Sequence, residues 1–207
     1  MTQEYLEEVA EKNFSKNHYW FIRFRSTRSY AKLDQAQKAN AFYITQAFVG
    51  LAYRYQLRSP RRWTAASVKE VFKEYFPRKI AADKVFFNSV FPVMRRYFAF
   101  LGAQHKISNA QTLINALDSL DPQKFVNHSS DVKYWDDSKK QGMRIILGWT
   151  DGFTEQDQQR FSEDCNMFVP LSVVKQHRNL PDNIVVLTDS RRKQAAQRIE
   201  QRTKQQK

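Results

Sequence analysis

Cysteine is almost absent from this sequence, with one residue, Cys165, in 207. A lone thiol excludes an internal disulfide framework and any cysteine-rich zinc or iron–sulfur site. Glycine and proline are scarce too, at 5 and 6. There is no glycine-rich phosphate loop, no Gly-x-Ser-x-Gly elbow and no collagen-like or low-complexity scaffold. No apolar run approaches the roughly 20 residues that a membrane helix needs. The first residues, Met1 to Glu8, lack the basic start and apolar stretch of a signal peptide, so the chain is expected in the cytoplasm with no membrane partner. His18, His105, His128 and His177 stand far apart, none within metal-ligand spacing of another His or of Cys165. No metal and no cofactor is expected.

Acids are outnumbered, with 21 Asp plus Glu against 34 Lys plus Arg, a formal net charge of +13. The excess is uneven. Residues 19–63 hold nine basic side chains against the single acid Asp34, and residues 64–120 hold eight against four. Residues 121–169 reverse the sign with six against nine, and residues 190–207 return to seven against one. Such patterning speaks of partners and solubility rather than of fold.

The hydrophobic fraction of 42% and the aromatic fraction of 14% suffice for an ordinary core, and the pattern is mainly α-helical. A short helix is expected from Gln3 to about Lys12, then an extended or strand-like aromatic segment from His18 to Arg25. Ile44, Ala47, Phe48, Leu51, Ala52 and Tyr55 fall at helical spacing between Ala36 and Gln56. Pro60 breaks the pattern. A helix should restart after Thr64, or at Ser67 with Glu70 as its capping partner, and stop at Pro77. The next, from about Ala82 to Leu101, has Phe86, Val90, Val93, Met94, Tyr97, Phe98 and Leu101 on one stripe, with Pro92 a kink or restart and Gly102 its end. Ser108 and Gln111 are spaced as a capping box before Leu113, Ile114 and Leu117, and Asp121-Pro122 closes that helix. Beyond it, helices are expected over 138–147 and 154–168, and a strand over 183–188. This gives a helical core domain over 1–120, a smaller α or α+β part over 121–189 and a basic tail over 190–207.

No catalytic constellation emerges. Asp136-Asp137 reads as negative charge at a helix start, adjacent Glu163 and Asp164 do not face each other on a helix, and Cys165 reads as a packing residue. What remains is basic and aromatic interleaving: Arg23, Arg25 and Arg28 among Tyr19, Trp20, Phe21, Phe24 and Tyr30, then Arg54, Arg58, Arg61 and Arg62 among Tyr53, Tyr55 and Trp63. Arginine grips phosphate in two places and exposed rings stack on bases; alternatively these rings are core and the arginines merely surround them. Arg78, Lys79, Arg95 and Arg96 could extend one basic face. In the tail, Arg191, Arg192 and Lys193 belong either to a solvated extension or to a basic arm that supplements nucleic-acid binding.

Residues 64 to about 117, through Val93-Met-Arg-Arg-Tyr-Phe-Ala-Phe-Leu101 and Lys106-Ile-Ser-Asn-Ala110, resemble the helical core-binding domain of tyrosine recombinases. The resemblance covers about a quarter of the chain and implies a DNA-contacting helical fold. It brings no catalytic residue, since no Arg, His and nucleophilic Tyr set comes after it. The expectation is thus a nucleic-acid-binding protein, DNA rather than RNA, without catalysis. The alternative is a helical protein-interaction or regulatory module, with a protein partner or a homodimer.

Overall fold

Two long helices, α3 (Gln35–Gln56) and α6 (Lys84–Ala103), pack along each other as the centre of the structure, and the other helices cover their flanks. The structure, a computed structural model, describes residues 4–146, which lie in the first of two units, Met1–His177 and Arg178–Lys207. The described residues are helical with no strand, in the order α1 (Glu7–Arg25), α2 (Arg28–Ala31), α3, a 3-10 turn (Pro60–Arg62), α4 (Ala65–Glu70), a π turn (Val71–Tyr75), α5 (Phe76–Lys79), α6, α7 (Ala110–Asp118), α8 (Pro122–Ser130), a 3-10 turn (Val132–Tyr134) and α9 (Asp137–Ile146). The helix and strand expected over 154–168 and 183–188, Cys165 and the tail lie outside the described residues.

The aromatic segment from His18 to Arg25 is not extended; it is the second half of α1. The buried stripe of this helix runs Ala10, Asn13, Asn17, Trp20, Phe21 and Phe24, at helical spacing throughout. Two of its inward positions are asparagines, which hides the period from a count of apolar residues. Asn17 is fully buried and satisfied: it accepts from the Tyr97 hydroxyl at 2.8 Å and donates to Gln46 Oε1 at 2.8 Å and Thr45 Oγ1 at 3.4 Å.

Asp34 starts α3 with a reciprocal capping box to Gln37. Leu57 ends it in the left-handed region at φ 53°, its amide bonded to the Tyr53 carbonyl at 2.9 Å. That reversal sends the chain into Pro60–Arg62 and lets Trp63 turn inward against Phe48 at 4.8 Å between ring centres. Thr64, paired with Ser67, is the cap of α4, and Glu70 is left to accept from Gln56 and from the Tyr75 hydroxyl.

Pro77 does not end the helix that began at α4. The π turn precedes it, with the Phe76 amide reaching the Val71 carbonyl, so the proline falls in the first turn of α5, where its missing N–H is not needed. Pro92 likewise sits inside a continuous α6, whose expected stripe is completely buried. Gly102 is not the stop either. His105 is, at φ 52°, with the Lys106 amide on the Leu101 carbonyl and its own on that of Gly102, both at 2.9 Å. Gly102 instead allows close approach of α7: a methyl placed there would lie 2.5 Å from the Ala110 Cβ. Neither Ser108 nor Gln111 caps α7; its N-cap is Asn109, whose amide donates to the Trp63 carbonyl at 2.8 Å.

The core does not stop near residue 120. Asp121 caps α8 instead of merely closing α7, and Phe125 and Val126 join the same buried cluster as α3 and α6. Among the described residues no helix is long and apolar enough to cross a membrane.

Candidate nucleic-acid interface

The helices distribute the basic residues over separate places. Arg54, Arg58, Arg61 and Arg62 gather where α3 ends, the Arg58 guanidinium donating to the Arg62 carbonyl at 2.9 Å. Arg62 lines a hollow of about 350 Å³ with Leu6, Val9, Tyr53 and Leu57. Arg23, Arg25 and Arg28 mark the turn from α1 to α2, where Arg23 donates to the Tyr19 hydroxyl at 3.0 Å and Arg25 and Arg28 are exposed.

Arg95 and Arg96 line a cleft of about 860 Å³ between α6, α7 and α8 whose wall includes Phe87, Phe91, Pro92 and Ile114. This cleft shares no lining residue with the Arg62 hollow. Ser29, the neighbour of Arg28 in sequence, does line it. Arg95 is paired with Asp118 at 3.0 Å, an exposed pair of small energetic weight. Arg78 lines a smaller hollow of about 270 Å³ with Lys73, Lys124, His128 and Tyr134. Phe91, Leu120 and Phe125 line both this hollow and the Arg95–Arg96 cleft.

Lys79 serves the fold. Its ammonium pairs with Asp136 and sits 5.5 Å above the Tyr55 ring. Burial would raise the Asp136 carboxyl, yet the Lys79 ammonium, the Lys139 amide and the Ser138 hydroxyl hold it below its ordinary value. The interleaved rings are mostly core: Trp20, Phe21, Phe24, Tyr53 and Trp63 are buried, while Tyr19 and Tyr55 remain exposed. Arg191, Arg192 and Lys193 lie outside the described residues.

One cation was not singled out by sequence. Lys139 is fully buried; its Nζ donates to the carbonyls of Pro77 and Ser129, each at 2.7 Å, and lies 4.8 Å from the ring centres of Phe87 and Trp135. Burial pushes its pKa down to about 7, opposed by the Asp136 charge. It closes the C-terminal ends of α5 and α8, whose last carbonyls have no helical donor. No group of three His, Cys, Asp or Glu among the described residues could hold a metal ion. The chain was compared with protein-family models, with curated proteins and with solved structures, and none matches.

Proposed function

We propose that this chain binds nucleic acid without catalysing a reaction on it. The observation that carries the reading is that Arg25, Arg28, Arg61 and Arg96 have no carboxylate partner among the described residues, on a domain whose residues 19–63 hold nine basic side chains and one acid. Such cations neutralise the phosphates of a nucleic acid and release its condensed counterions, which drives association. The resemblance of residues 64–117 to the DNA-contacting domain of tyrosine recombinases supports the same direction, although Tyr97, Phe98 and Leu101, which carry it, are core residues.

Fluorescence anisotropy of the full chain with duplex DNA, single-stranded DNA and RNA over a salt series tests it. The expected outcome is binding whose log K falls linearly with log salt, with a slope of about −0.9 per duplex phosphate contacted or −0.7 per single-strand phosphate. Absence of binding to every probe at low salt overturns it.

A further inference from the structure

The cleft and the smaller hollow adjoin, because Phe91, Leu120 and Phe125 line both. Arg96 stands in the cleft without a carboxylate partner among the described residues, and Lys73, Arg78 and Lys124 stand in the hollow. The acids there are largely occupied. The Asp118 carboxylate holds Arg95, and that of Asp121 accepts the amides of Gln123 and Lys124 at 2.8 and 3.1 Å. Glu74 lines the hollow together with the three cations.

Between the charges the walls are aromatic and polar. Phe91, stacked on Phe125 at 4.9 Å, is partly exposed, whereas the Tyr134 ring is stacked on His128 at 4.2 Å and carries the Lys133 ammonium 4.8 Å over it. Asn88 and Gln111 line the cleft as amides, the side chains suited to base edges.

Cations beside a partly exposed ring fit a strand whose bases are splayed out. A duplex keeps its base faces stacked inside and could use only the charges. We propose that this α6–α8 surface is a track for single-stranded nucleic acid, with Arg96 and Lys124 on phosphates and Phe91 under a base. The inference rests on the nucleic-acid reading above and adds the strand class and the place. It also makes Asp118 a built-in competitor, whose carboxylate a phosphate must displace from Arg95.

The test is anisotropy of the full chain with a labelled oligodeoxythymidine of about 12 nucleotides, within the span of single-strand sites, and with a duplex of equal length. The double variant Arg96→Glu, Lys124→Glu should lose single-strand affinity by about 30-fold or more, while Lys16→Glu, at an exposed lysine of α1 that lines neither the cleft nor the hollow, should change it less than about threefold. Asp118→Asn frees Arg95 and should tighten single-strand binding about threefold, with a salt slope steeper by about 0.7. That gain cannot come from misfolding. If nucleic acid binds but the groove variants match the wild type, or the duplex binds more tightly than the single strand, the groove assignment falls and the general function stands. If polyglutamate competes as well as the oligonucleotide, the groove reads charge alone and the assignment also falls. No binding to any nucleic acid removes both.

Discussion

The interior between α3 and α6 and the edge where α9 joins are held by opposite kinds of interaction. In the interior, rings lock against rings: Phe48 meets Trp63, Phe98 and Phe72 at 4.8, 5.3 and 5.5 Å, and each of these side chains is at most 1% exposed. At the edge, α9 joins the bundle by the Asp136 pair with Lys79, the Asp136 amide on the Arg78 carbonyl at 3.2 Å and the buried Lys139. Apolar contact is spread over many atoms and loses strength gradually, whereas a few polar links depend on the state of each group. Below about pH 10 the interior should therefore be indifferent to pH where the edge is not.

The largest effect comes from breaking the interior. Phe98→Ala should cost about 4 kcal/mol, since it opens a cavity that the surrounding rings cannot collapse into, and urea unfolding should show the loss as a lower midpoint with an unchanged slope. Next is the edge. Lys139→Met should cost about 2 kcal/mol at pH 9, where it leaves the Pro77 carbonyl without its side-chain donor and the Ser129 carbonyl with the Trp135 indole N–H alone.

The same variant sharpens the comparison through pH. Lys139 titrates at about 7 when folded, below its ordinary value, so between pH 7 and about 9.5 the unfolded chain binds more protons than the folded one and stability must rise with pH. A neutral amine keeps two N–H donors for its two carbonyls, so the link survives the titration. Urea midpoints measured from pH 6 to 9.5 should climb in the wild type and stay flatter in Lys139→Met. Above about pH 10 the sign reverses: Tyr75 is raised to about 12 by its bond to Glu70 and by burial, and Tyr97 is raised by burial, so both hold protons in the folded state that the unfolded chain releases.

Smaller effects test whether the interior is wholly apolar. Tyr97→Phe removes the donor to Asn17 and should cost about 1.5 kcal/mol, read in the same titration. Thr64→Ala removes the cap of α4 for about 1 kcal/mol, and should lower the midpoint least of the four.

How much of this could be read in advance depends on how local each signal is. The spacing of Ile44, Phe48 and Leu51, or of Val90, Tyr97 and Leu101, is set within one helix, and those helices stand where the sequence places them. Asn13 and Asn17 broke the apolar period of α1 because their partners lie on α3, α6 and the turn at Ser59. Lys139 looked like one surface lysine beside another, since the Pro77 carbonyl that receives it is 62 residues away. The groove was likewise hidden: Arg96 was visible as a charge and Lys124 was not singled out, and only the packing of α6 and α8 on shared aromatic walls puts them along one surface. Arg62, of the cluster that follows α3, lines a hollow that shares no residue with it.

The π turn at Val71–Tyr75 acts as a phase shift in an otherwise regular screw. One residue more than an α turn requires rotates the rest of the helix by about 100°, and that remainder is short: Phe76, Pro77, Arg78 and Lys79. Those four residues supply a core ring, the carbonyl that holds Lys139, the carbonyl that holds the Asp136 amide and the ammonium that pairs with the Asp136 carboxylate. With the extra residue removed, the helix would run true and all four would face elsewhere. The docking of α9 is thus set by a single-residue count made more than 60 positions upstream of Lys139.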